Sequence, residues 1–155
     1  MRRRRAPKRE IGIDPKYSSD VVGRFINIIM RDGKKSTAQG IVYGAFDIVA
    51  EKTKEDSLKV FFSALDNARP HMAVKARRIG GATYQVPLEV PKEKGVSTAL
   101  RWMKDFALKK KGKAMEAKLA EEIISAYKRE GSAVKKREDT HKMAEANRAF
   151  AHFRY

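Results

Sequence analysis

The sequence predicts a mainly α-helical fold: a bundle of about six helices, a protruding two-stranded β-hairpin arm and a flexible basic N-terminal tail. Three observations predict it. Apolar residues recur three and four apart along most of the 155 residues, the mark of helices with one buried face. The stretch "KARRIGGATYQV", Lys75 to Val86, interrupts that period with β-branched and aromatic residues on either side of Gly80-Gly81, the chemistry of two strands and a tight turn. The start, "MRRRRAPKRE", is charged and has no apolar period at all. A chain of this length fits one domain, 1–155, divided into a basic arm (1–17), helices (18–71), the hairpin (72–90), further helices (91–131) and a C-terminal helix and tail (132–155).

In chain order, residues up to about Tyr17 carry like charges and two prolines, so they are expected to stay disordered until a polyanion holds them. From Asp20, the residues Val21, Val22, Phe25, Ile26, Ile28 and Ile29 fall on one helical face, with Gly33 placed to end the helix. "DGKKS" is the connection. Ser36 and Gln39 then have the spacing of a capping box, and Ile41, Val42, Ala45, Ile48 and Val49 line a second helix to about Lys52. Asp56 or Ser57 caps a third helix striped by Leu58, Phe61, Phe62 and Leu65, which Pro70 stops. After the hairpin, Ser97 opens a fourth helix bearing Leu100, Trp102, Met103 and Phe106; it closes in the basic turn "LKKKGK". A fifth runs from about Lys113 to Arg129 through Met115, Leu119, Ile123 and Tyr127 and stops at Gly131. The last segment is mostly charged, anchored by Val134 and Met143, and ends by alternating Arg148, Phe150, His152, Phe153, Arg154 and Tyr155.

With Gly80-Gly81 as the turn, Lys75, Arg77 and Tyr84 share one face of the hairpin while Ala76, Arg78 and Gln85 share the other, because strand side chains alternate. Neither is a core face. An isolated hairpin is marginal in water, so the expectation is an apolar base, Val74, Val86, Leu88 and Val90, seated on the body and a basic tip facing a partner.

Thirty-five Lys and Arg against nineteen Asp and Glu give a net charge of +16, which points to a nucleic acid as partner. The longest apolar cluster, Phe25 to Met30, is too short for a bilayer, and the protein is expected to be cytoplasmic with no membrane partner. There are no cysteines, and His71, His141 and His152 lack ligand spacing, so neither a metal nor another cofactor is expected. Gly33-Lys34-Lys35 lacks the leading glycine and strand of a phosphate loop; as an interhelical turn it can face a nucleic-acid phosphate. No acid cluster or nucleophile–base pair marks an enzyme. Trp102, on the apolar stripe of its helix, is assigned to the core.

Three stretches, "DVVGRFINIIMRDGKKSTAQGIVYGA", "RRIGGATYQVPLEV" and "GSAVKKREDTHKMAEANRAFAHFRY", closely resemble the universal small-subunit ribosomal protein seven family in its bacterial form. The resemblance implies a helical bundle with an extended β arm that binds the 3′ major domain of 16S ribosomal RNA and organises the head of the small subunit. It also implies a place near the exit site, close to tRNA, mRNA and ribosomal proteins such as nine and eleven. The RNA-binding candidates are then Arg2, Arg3, Arg4, Arg5, Lys8 and Arg9, Lys34 and Lys35, Lys75, Arg77 and Arg78, Lys135, Lys136 and Arg137, with Arg148 and Arg154 near the end. The alternative is an architectural DNA-binding protein with a basic β arm, but such arms carry an apolar wedge at the tip and this tip is Gly-Gly.

Overall fold

The computed structural model describes residues 12–153 together with Arg4 and Ala6; the candidates Arg2, Arg3, Arg5, Lys8, Arg9 and Arg154 lie outside the described residues. Helix α1 (Asp20–Ile29) starts where the Ser19 hydroxyl accepts the Val22 N–H at 3.5 Å, and its Val22, Phe25 and Ile26 are buried. It ends before Gly33 is reached. Gly33 instead shapes the following turn, where Asp32 and Gly33 both take positive φ, +51° and +72°. Helix α2 (Lys35–Thr53) begins without a side-chain cap: Ser36 already lies inside it, so the expected capping box does not form. Its innermost face is Val42, Ala45, Phe46 and Val49, and Ile41 and Ile48 flank that face half-buried.

Helix α3 (Ser57–Ala68) is capped by Asp56, whose carboxylate accepts the Leu58 N–H at 3.1 Å. Phe61 is buried but Phe62 is 38% exposed, because consecutive helical residues point about 100° apart and only one can face the core. Helix α4 (Lys92–Lys109) starts five residues before Ser97, directly after Pro91. Its first turn lies against the exit of α3, where a side chain on Gly95 would come within 3.0 Å of the Pro70 carbonyl. Helix α5 (Met115–Tyr127) is the central element, packed on α2, α3 and α4 through Leu119, Ala120, Ile123 and Ala126. The left-handed residue behind it is Arg129, φ +64°; Gly131 does not end α5 but caps the start of α6 (Ser132–Ala146). A 3₁₀-helix, Arg148–Phe153, follows.

One core holds the body together. The rings of Phe25 and Phe46 lie 5.3 and 5.1 Å from that of Phe61, so three helices meet on one aromatic cluster. Trp102 and Phe106 pack against this core from its edge, half-buried. The N-terminal segment departs from the expectation of disorder through Tyr17. Asp14 is buried, accepting the Tyr43 hydroxyl at 2.6 Å and the Tyr17 N–H at 2.9 Å, and the Tyr17 ring meets Phe46 edge-on at 5.2 Å. Burial, and then the Asp14 carboxylate, push the Tyr43 hydroxyl up to about 12. Composition alone hid this latch, since one aspartate beside a run of arginines changes the average little.

Strands β1 (Met72–Ile79) and β2 (Ala82–Glu89) pair antiparallel with Arg77 opposite Tyr84 and Ile79 opposite Ala82. That is the expected register and the expected two faces. Gly80 and Gly81 both have positive φ, +56° and +89°, as a two-residue hairpin turn of the primed type needs. The base is seated as expected, with Val86 buried, and Pro87, which points to the opposite side, is buried as well.

Candidate nucleic-acid interface

Several of the cations line grooves where helices end. Between the α1–α2 turn, the last turns of α4 and the start of α5 lies an apolar groove rimmed by Arg31, Lys34, Lys104 and Lys118. On the other side of the α4 terminus, Lys109, Lys135 and Lys136 line a second groove with Phe106 and Asp139, and the Lys109 ammonium sits 5.1 Å from the Phe106 ring centre. Both grooves depend on α4, whose Lys104 and Leu108 look one way and Phe106 and Lys109 the other. Lys35 is exposed at the first turn of α2, beside the first groove.

A buried carboxylate fixes the second groove. Glu122, 1% exposed, accepts the Ala133 N–H at 3.1 Å and the Lys110 ammonium at 3.0 Å, so it caps α6 from a neighbouring helix. Sequence reading missed it, although a glutamate between Leu119 and Ile123 on an apolar face is itself a signal that a charge is buried and paired. A side chain at Gly131 would come within 3.1 Å of the Ala126 N, which keeps this joint tight. Lys135 and Lys136, one turn on, are therefore displayed from a fixed helix start. Arg137 is used differently: its guanidinium donates to the Asn67 carbonyl at 2.5 Å, and the Asn67 amide donates to the carbonyls of Ala126 and Tyr127 at 3.0 and 3.1 Å. It ties α6 to the ends of α3 and α5.

The hairpin is seated at three levels. At its base, Ala73, Val74, Lys75 and Leu88 share a cleft with Trp102 and Lys94 of α4, which gives Trp102 a second duty beside the core. On the α6 side, the His141 Nε2 accepts the His71 N–H at 3.0 Å and lies 3.5 Å from the Met72 N. Acceptance requires that nitrogen unprotonated; burial first, then the charges of Arg137 and His71, hold the His141 pKa below its ordinary value. Further out, Tyr84 packs on Phe150 and Phe153 with centroids 5.2 and 5.3 Å apart, so the aromatic end of the chain closes on the arm. Lys75 and Arg78 are exposed, Arg77 is half-buried, and Arg148 is exposed beside the hairpin root. None of these four forms an ion pair among the described residues. Arg4 is exposed, but with its neighbours in sequence outside the described residues it defines no site.

No helix among the described residues is long and apolar enough to cross a membrane, and no three metal-binding side chains converge there. The model of the family described as ribosomal protein S7p/S5e matches residues 1–148. The chain is 59% identical over 155 residues to the small ribosomal subunit protein uS7 of Thermotoga maritima, with all of both chains covered. It is 57% identical over the same length to that of Fervidobacterium nodosum, and 54% identical over 154 residues, 99% of each chain, to that of Acidithiobacillus ferrooxidans.

Proposed function

Because the chain belongs to the ribosomal protein S7p/S5e family, a structural and non-enzymatic constituent of the small ribosomal subunit, we propose that it binds the 3′ major domain of 16S ribosomal RNA directly and organises assembly of the subunit head. The single observation that carries this is where certain cations sit together: Arg31, Lys34 and Lys118 on the rim of one groove, Lys109, Lys135 and Lys136 on another, and Lys75, Arg77 and Arg78 on a hairpin whose tip is Gly80-Gly81. Phosphate contacts of this kind position a protein on folded RNA, and a ribbon with polar edges can enter a groove. Lys34, Lys35, Lys135 and Lys136 contact the primary RNA site together with the basic stretch at residues 2–9, while Arg137 acts by holding α6 in place. Lys75, Arg77 and Arg78 reach toward the exit site, where tRNA, mRNA and ribosomal proteins nine and eleven are the neighbours; Arg148, at the root of that arm, and Arg154 are further RNA contacts. The protein then works in the ribosome, in the cytoplasm.

Ultraviolet crosslinking of the protein in cells followed by sequencing of the bound RNA is expected to return 16S sequence from the 3′ major domain; recovery of unrelated RNA or of duplex DNA would contradict the reading. In vitro, log affinity should fall steeply and linearly with log salt. Arg78→Ala should cost roughly 1–3 kcal/mol if the arginine reads a base edge, or lower the salt slope by about 1 if it neutralises phosphate.

A further inference from the structure

The groove between the α1–α2 turn and the ends of α4 and α5 has a chemistry that phosphate contacts alone leave unexplained. Its rim is cationic throughout: Arg31, Lys34, Lys104 and Lys118, with no carboxylate among the lining residues. Among the described residues, only Lys104 of these four has a counter-ion, Asp105 at 3.8 Å on its own helix. Its floor is apolar: Met30, Ile41, Leu108 and Met115, with Leu108 left 41% exposed although it is a large aliphatic residue on a highly charged protein. The volume is about 340 Å³, within the range of sites that enclose small flat ligands.

A rim that attracts anions around a floor that repels water suits an occupant with charge at its edge and a flat apolar body. Two thioethers face that body, and methionine sulfur makes favourable contacts with aromatic rings while adapting its shape to them. We propose that this groove takes a single unstacked nucleotide of the bound RNA, its base lying on Met115, Leu108 and Ile41 and its flanking phosphates held by Lys34, Lys104 and Lys118. Proteins that bind folded RNA commonly splay out unstacked bases and stack them on flat side chains; here thioether and aliphatic groups supply the surface that an aromatic ring supplies elsewhere. The inference rests on the RNA-binding reading above and adds to it a site that engages the base as well as the backbone.

The test uses the full-length protein, a transcript of the 16S 3′ major domain as probe, and two variants at exposed positions that leave the charge unchanged. Thr37→Trp fills the groove from its lip, and Leu108→Ser removes the exposed part of its floor. Each is expected to weaken binding, Thr37→Trp by roughly tenfold, with the salt slope unchanged because no phosphate contact is lost. Lys118→Gln should instead lower that slope by about 1. With methyl-labelled methionine, the Met30 and Met115 signals should move upfield on RNA binding, the ring-current signature of a base above them. Wild-type affinity in both neutral variants, with Met30 and Met115 unmoved, would overturn the inference and leave the groove as a phosphate rim only. If those variants bind RNA normally yet lose a neighbouring protein on reconstitution of the subunit, the occupant is an acidic peptide and the inference is equally overturned. A wild-type protein whose RNA binding ignores salt would sink the parent reading, an outcome separate from either of these.

Discussion

Phe61 in the body and Tyr84 on the arm are both aromatic residues that join separate elements, yet they sit in opposite circumstances. Phe61 is fully buried and contacts the rings of Phe25, Phe46 and its own neighbour Phe62. Tyr84 is half-buried and rests on Phe150 and Phe153, themselves half-buried, from the last turn of the described chain. Around Phe61 the apolar surface closes on itself from several helices. Around Tyr84 one side is always wet. The body is therefore stable by its own packing, whereas the arm is held by a few contacts of mixed chemistry, a histidine nitrogen, a tryptophan edge and an aromatic pair, each of modest worth.

The sharpest way to break that contrast is Phe61→Ala. It should cost about 3–5 kcal/mol, because the emptied volume is walled by three helices that cannot collapse into it. The loss should appear as a lower midpoint of one cooperative denaturant transition that takes arm and body together. Glu122→Ala comes next: losing a charge-assisted bond to the Ala133 N–H should cost about 1.5–3 kcal/mol and fray the start of α6 before the rest of the body, as hydrogen exchange at residues 133–136 would show. If α6 exchanges no faster than α2 in that variant, the joint lies elsewhere.

Tyr84→Ala should have a smaller effect, about 1 kcal/mol, in line with the worth of a partly exposed aromatic pair. Its loss should be confined to faster exchange at Arg148–Phe153 and at the hairpin tip, with the midpoint of the body nearly unmoved. A large drop in that midpoint would mean that the arm belongs to the core after all. The smallest effect is a pH dependence. The His141 pKa is depressed in the folded protein, so the unfolded chain binds the proton more readily; stability is fully present above the ordinary histidine pKa of about 6.5 and is lost as pH falls through the folded value. His141→Gln, whose amide oxygen can still accept the His71 N–H, should flatten the histidine share of that slope. Urea midpoints at pH 5 and pH 7.5 compare the two proteins.

Most of the fold was legible because helices with one buried face and a Gly-Gly turn leave local, periodic marks. Where reading failed, two local rules competed or the decisive partner was distant in sequence. Phe62 belonged to an apolar run but not to the buried face, and Ser36 had the spacing of a cap while the turn before it let α2 start two residues earlier, with Lys34 at the cap position. The Asp14–Tyr43 and Glu122–Ala133 bonds span 29 and 11 residues, and nothing in the composition around either end announces the other. The interface divided the same way. Clusters of cations are visible as letters, so Lys34, Lys35, Lys135 and Lys136 stood out as candidates; Arg31, Lys104, Lys109 and Lys118 are scattered along the chain and join the candidate surface only when the helix ends are brought together. Arg137 was legible as a cation but not as a tether, since its acceptor is a backbone carbonyl seventy residues away.

The place where Tyr84 is clamped also sets how steadily the hairpin tip is aimed. Arg77, opposite Tyr84, lies three residues from Gly80, whereas Val74, opposite the buried Pro87, lies six residues from it. At about 3.4 Å per residue the unsupported lever is about 10 Å with the aromatic clamp closed and about 20 Å with it open. For the same angular wobble at the pivot, the sideways excursion of Gly80-Gly81 is about doubled when Phe150 and Phe153 let go. Two rings near the end of the chain thus govern the pointing accuracy of a tip they never touch, and wear at that pivot would blur where the tip lands long before it unfolded anything.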